Sequence, residues 1–205
     1  MTRHESKTRL LQASVDVFRA RGYTATRIED ICQAAGLTKG SFFHHFKSKQ
    51  DLALAAADYW SATTGELFAS APYHAHPDPL QRVLAYVDFR KTLITGEVPA
   101  FSCLVGTIVQ EVFDTVPAVR EACERSISEH AATLEDDIAA ARKQYKVKSD
   151  WTARSLALHT QAVLQGAFIL AKAKGGPEVA ADSVDHLRRY IELLFEKPKA
   201  NRGGS

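Results

Sequence analysis

The stretch from Thr24 to Asp51 constrains the fold more than any other part of the chain, because it holds three helix starts and one enforced stop in close succession. Thr26-Arg27-Ile28-Glu29 has the form of a capping box, in which the threonine hydroxyl and the glutamate satisfy each other's orphan backbone donors. The helix it predicts is short, because Gly36 stands where a left-handed residue ends a helix. Thr38 then caps a second helix, and Ser48-Lys49-Gln50-Asp51 caps a third. Two short helices joined by Gly36-Leu37-Thr38, with Ala34 and Ala35 allowing close approach, predict a helix-turn-helix.

The second of these helices, 38–45, points to what the motif holds. At about 100° per residue, Phe42 and Phe46 share one face and predict its core side. Gly40, Ser41, His44 and His45 gather on the opposite face, which is small and polar rather than rich in Glu and Lys. Such a face lets the backbone approach a duplex and offers donors to phosphates and base edges. Charge agrees with this. Residues 1–50 carry nine Lys and Arg against four Asp and Glu, a formal +5, whereas the remainder carries 17 against 20, a formal −3. The net +2 of the whole chain therefore hides a basic headpiece on a faintly acidic body.

The rest of the chain predicts helix throughout, so the expected fold is all-α. Apolar residues recur at three and four, breakers fall between the runs, and no sustained period-two alternation appears. About nine helices follow, near 4–21, 27–35, 38–45, 49–70, 79–95, 102–114, 117–145, 150–173 and 178–196, with a polar tail over 197–205. With 45% hydrophobic residues the chain has ample material for a core. An odd count of three cysteines, Cys32, Cys103 and Cys123, argues for a reducing compartment. Met1 to Lys7 is too polar for a signal peptide. Leu156 to Ala171, the nearest approach to a membrane span, carries His159, Thr160, Gln161 and Gln165 and predicts a buried helix instead. The expectation is a cytoplasmic protein with no membrane partner. His74-Ala75-His76 lacks further ligand spacing, so no metal is expected; with no nucleophile motif or phosphate loop, neither an enzyme nor a cofactor is expected.

Gly22-Tyr23, Thr26-Arg27-Ile28-Glu29-Asp30-Ile31 and Ala35-Gly36-Leu37-Thr38-Lys39-Gly40-Ser41-Phe42-Phe43-His44-His45-Phe46-Lys47-Ser48-Lys49 together resemble the signature of the tetracycline-repressor (TetR) family. The resemblance implies a three-helix DNA-binding domain over 1–47 and a larger effector-binding and dimerisation domain over 48–196. It implies a homodimeric transcriptional regulator, usually a repressor, released from a palindromic double-stranded operator by a small-molecule effector. Matched position by position, the DNA contacts are Thr26, Arg27, Thr38, Lys39, Gly40, Ser41, Phe43, His44, His45 and Lys49. Phe43 departs from the family's usual tyrosine and lacks the phenol that meets a phosphate, so it either packs on sugar or a thymine methyl or joins the core.

The last two long helices, 150–173 and 178–196, are implied as the dimer interface, with Ala157, Ala162, Gly166 and Ala167 small enough for close packing and Leu187, Ile191 and Leu194 as a second stripe. The effector pocket is expected among the helices between, from Trp60, Phe68, Phe89, Phe101, Cys103, Phe113, His130, Gln165 and Phe168. Cys103 opens a helix, where a thiol is more reactive. A subgroup of the family that this stretch resembles includes electrophile or oxidant sensors, so a Cys103-based redox-sensing repressor is one alternative. A helical ligand-binding module without DNA affinity is the other.

Overall fold

The computed structural model describes residues 2–196, so the tail predicted over 197–205 lies outside the described residues. Among them the chain forms eleven α-helices and no strand, as the all-α expectation requires. They are α1 Arg3–Arg21, α2 Ile28–Ala35, α3 Lys39–His45, α4 Lys49–Ala69, α5 Pro79–Thr92, α6 Val98–Phe101, α7 Leu104–Val112, α8 Pro117–Ala132, α9 Glu135–Gln144, α10 Ala153–Lys174 and α11 Glu178–Phe195. A single 3-10 turn, Pro72–Ala75, follows α4.

Two differences from the predicted boundaries have local causes. The helix predicted over 117–145 breaks between α8 and α9. There the Thr133 N–H donates to the His130 carbonyl at 3.3 Å and the Leu134 N–H to the Ala131 carbonyl at 3.1 Å, tighter three-residue turns in place of the α-helical ladder. Glu135, Asp136 and Asp137 then fill the first turn of α9, where acidic side chains favour a new helix start. The proline-rich stretch after α4 is also not merely a loop: its 3-10 turn buries Tyr73. It spends His74 Nε2 on the Phe68 carbonyl at 3.0 Å. Among the described residues no cluster of three His, Cys, Asp or Glu is arranged to hold a metal, and no helix is long and apolar enough to cross a membrane.

Two apolar clusters hold the chain together. One joins α5, α9, α10 and α11. The other begins in the headpiece with Leu10, Phe18, Ile31 and Phe42, and continues into Leu52 and Ala56 of α4, Leu104 and Ile108 of α7, and Val119 of α8. Three helices of 19, 8 and 7 residues present too little apolar surface to close a core alone, so the packing unit does not end at residue 47. Cys32 and Cys123 are packed inside this second cluster, and burial raises both thiols, Cys123 to about 12.

The stripe expected to make a dimer seam is also redistributed. Ala157, Ala167, Leu187 and Ile191 face the chain's own core, because α10 packs on α11 and α11 on α5. What α10 and α11 present outward is Leu158, Ala162, Ile169, Leu170, Tyr190 and Leu193. A Cβ on Gly166 would meet nothing, which places that glycine on the open side as well.

Candidate DNA-binding face and effector cavity

The turn before α2 explains how the headpiece is held. Gly22 adopts φ 81°, and a Cβ there would collide with the carboxylate of Glu111 at the far end of α7. Glu111 accepts from the backbone N–H of Tyr23 at 3.1 Å and of Thr24 at 2.7 Å. From the other side Lys49 Nζ donates to the carbonyls of Tyr23 at 2.9 Å and Thr26 at 2.8 Å, and lies 4.4 Å from the Tyr23 ring centroid. One acid therefore takes the turn's donors and one ammonium takes its acceptors. Desolvation lowers the Lys49 pKa, partly offset by the charge of Glu111.

That geometry gives two of the expected DNA contacts partners within the chain. Lys49 gives its ammonium protons to carbonyls of the turn. Thr26 is buried, and its hydroxyl donates to the Gly22 carbonyl at 2.6 Å. It does not cap α2 either: the carboxylate of Asp30 accepts from the Arg27 N–H at 2.8 Å, one residue later than the sequence placed the cap. Hydrogen bonding from that N–H holds Asp30 below its ordinary value.

The other eight candidates lie at the start of α2 and along α3. Thr38 caps α3 through Ser41 N–H at 3.2 Å, while Phe42 and Phe46 go inside as their spacing predicted. Arg27, Thr38, Lys39, Gly40 and His44 are exposed, and Ser41 and His45 are half-buried. Phe43 is 55% exposed with its ring edge against Phe42 at 5.2 Å, so of its two possible places it takes the surface. Lys39 is ion-paired with Glu29, whose carboxylate is held low first by the hydrogen bond from Lys39. His45 Nε2 lies 2.7 Å from Ser6 Oγ, and burial lowers its pKa, aided by His44, Arg3 and Lys7. A groove beside α3 adds Arg3, His4 and Lys7, of which sequence reasoning counted Arg3 and Lys7 as charge without placing them there.

A separate cavity of about 540 Å³ opens between α4, α5, α8 and α10, with the α6–α7 junction as its floor. Of the nine residues expected to line it, Trp60, Phe68, Phe101, Cys103, His130, Gln165 and Phe168 do so. Phe89 does not: it packs behind the wall against Phe68 and Tyr73. Phe113 does not either, because it ends α7 and turns into solvent, 61% exposed. At the deep end Gln161 Nε2 donates to Tyr86 Oη at 3.3 Å, and Tyr86 Oη lies 2.9 Å from His130 Nε2. Burial, with the charge of Arg90, pushes the His130 imidazole down to about 4, so near neutral pH it is uncharged. Cys103 caps α7 weakly, accepting from Gly106 N–H at 3.5 Å.

Sequence reasoning missed Ser61, Arg19 and Arg90 here, among others of the lining. Ser61, bonded to Ser126 at 2.8 Å, lies on the α4 face that also carries Trp60, Thr64 and Phe68, and helical spacing marks that row. Arg19 and Arg90 carry no such signal, since charged residues read as surface. Arg19 belongs to α1, yet its face lies 5.0 Å from the Trp60 centroid, its Nε donates to the Ser102 carbonyl at 2.8 Å, and a second nitrogen reaches the Ala100 carbonyl.

Comparison with known proteins agrees with this arrangement. Residues 10–56 match the family model for bacterial regulatory proteins of the tetR family, and residues 79–187 match that for the tetracyclin repressor-like C-terminal domain. The chain is 40% identical over 57 residues to the uncharacterized HTH-type transcriptional regulator YerO of Bacillus subtilis, a match covering 28% of this chain and 20% of that protein. It is 24% identical over 196 residues to the HTH-type transcriptional repressor DhaR of Mycobacterium sp. (strain GP1), covering 96% of this chain and 93% of the relative. A TetR transcriptional regulator from Chloroflexus aurantiacus has a crystal structure that superposes with a TM-score of 0.79 at 28% identity, over 93% of this chain and 96% of that one. The two matched segments account for both the DNA-facing headpiece and the cavity-bearing body, and the chain belongs to the TetR family of bacterial regulatory proteins.

Proposed function

We propose that this DNA-binding transcriptional regulator is a repressor that grips a two-fold operator as a homodimer and lets go when a small organic molecule fills the cavity. Residues 1–47 supply the DNA-facing part, and residues 48–196 the effector and dimer part. The contacts are Arg27, Thr38, Lys39, Gly40, Ser41, Phe43, His44 and His45, joined by Arg3 and Lys7. The outward apolar face of α10 and α11 pairs with its copy, as a palindromic site demands. Its place of work is the cytoplasm, where bacterial DNA lies. No cofactor enters the reading. The match over residues 10–56 favours this over an effector module without DNA affinity.

The observation that carries the proposal is the double attachment of the headpiece to the cavity wall. Arg19 of α1 lines the cavity and bonds the α6–α7 junction, and Glu111 at the other end of α7 holds the turn that starts α2. A ligand that favours a shifted α7 therefore also favours a shifted headpiece, and recognition helices that leave their spacing lose the paired grooves. A thiol-triggered form of the same release rests on Cys103, which lines the cavity half-buried; only the trigger differs. Selection of random duplexes by the purified chain tests the proposal. The expected product is a site of two inverted half-sites with centres about one helical turn, or a multiple of it, apart. An enriched site without two-fold symmetry, or no enrichment, contradicts it.

A further inference from the structure

The cavity is unequal in charge. Arg19 and Arg90 line it against a single carboxylate, that of the exposed Glu129. Arg19 is already engaged with the Ala100 and Ser102 carbonyls. Arg90 is not. Among the described residues its only contacts are aromatic faces, with the guanidinium carbon 5.2 Å from the Phe68 centroid and 5.9 Å from the Phe168 centroid. Other cations of the same region do have acids: Lys91 pairs with Asp185 at 2.6 Å, and Arg188 with Asp88 at 2.9 Å. The missing acid is thus particular to the one cation of α5 that faces the cavity.

A guanidinium stacked on rings keeps its in-plane N–H fork free, and that fork matches the two oxygens of a carboxylate. Among the described residues no carboxylate is paired with it, the cavity's Glu129 included. Gln161, Tyr86 and His130 bond one another in a chain, and most of the remaining wall is aromatic, aliphatic or hydroxylic, with Gln165 and the exposed Glu129. An arriving carboxylate gains a bidentate pair with a cation that no acid of the described residues neutralises.

We propose that the effector is an organic anion, an aromatic carboxylate of one or two rings, whose carboxylate takes the free fork of Arg90 while its body lies among Trp60, Phe68, Phe101 and Phe168. This rests on the cavity being the effector site. About 540 Å³ falls in the range of small-molecule pockets and accommodates such an acid.

Isothermal titration of the full chain with 2-naphthoate, 2-naphthamide and 2-naphthol tests it. The acid binds about tenfold or more tightly than the amide. Arg90→Gln brings the acid to the amide's affinity, and Arg90→Lys keeps a preference for the acid. An amide that binds the wild-type chain as tightly as the acid, or an Arg90→Gln chain with unchanged affinity for the acid, overturns the anion while leaving the cavity as the effector site. Binding of none of the three overturns the cavity reading as well. If Arg90→Gln does not fold, the acid–amide comparison on the wild-type and Arg90→Lys chains decides.

Discussion

Phe42→Ala abolishes duplex binding and lowers the thermal midpoint by about 10 °C, whereas Phe43→Ala, its immediate neighbour, leaves the midpoint within about a degree. The contrast follows from burial. Phe42 is fully buried and packs against Phe46 at a centroid distance of 5.8 Å, while Phe43 is 55% exposed. Emptying a buried phenylalanine site costs about 3–5 kcal/mol, a large part of the ~5–15 kcal/mol that holds a typical domain. A helix of 7 residues has no stability of its own, so α3 depends on that contact for its position. Because the same cluster runs into α4, α7 and α8, the loss is felt by the whole chain. Thermal unfolding followed by circular dichroism checks both variants.

Glu111→Ala frees the Gly22–Thr26 turn. The carboxylate makes two charge-assisted bonds to backbone donors that have no other partner in the turn. Each such bond is worth about 1.5–3 kcal/mol, reduced here because Glu111 is half-buried rather than fully enclosed. A combined loss of about 2–3 kcal/mol corresponds to roughly 30- to 150-fold faster exchange of the Tyr23 and Thr24 amides where exchange follows local opening. Lys49 then has carbonyls to hold but no opposing acid. Operator binding weakens along with the turn, and Glu111→Asp, with a shorter reach, falls between. Residue-resolved hydrogen exchange is the check; protection at Tyr23 and Thr24 equal to that of the wild type contradicts the clamp.

The parts of this molecule legible in sequence were those fixed by local rules. Gly36, at φ 62° in the left-handed region, and Thr38, with its cap bond to Ser41, fix the turn and the start of α3 without reference to anything distant. Phe42 and Phe46 follow from helical spacing. What the sequence left unread was decided by competing partners, some of them local and some far along the chain. Lys49 reads as a free cation in a first helical turn, and only the fold brings the carbonyls of residues 23 and 26 to it. Thr26 reads as a cap, but its hydroxyl finds Gly22 and yields the role to Asp30. Leu187 and Ile191 read as a dimer stripe because a helix with one apolar face does not say whether that face meets its own chain or a copy. Arg19 and Arg90 show the same limit: a charged side chain beside an aromatic wall has no periodicity to betray it.

The most direct measurement is a fluorescence-anisotropy titration of the selected duplex at a series of salt concentrations. The expected result is a logarithmic affinity that falls linearly and steeply with the logarithm of salt, since phosphate contacts displace counterions. Lys39→Ala should weaken binding and reduce that slope by about one at an unchanged thermal midpoint, because its surface pairing with Glu29 contributes little to stability. Binding that is indifferent to salt, or a Lys39→Ala chain with the affinity and slope of the wild type, would contradict DNA recognition by the exposed face of α3.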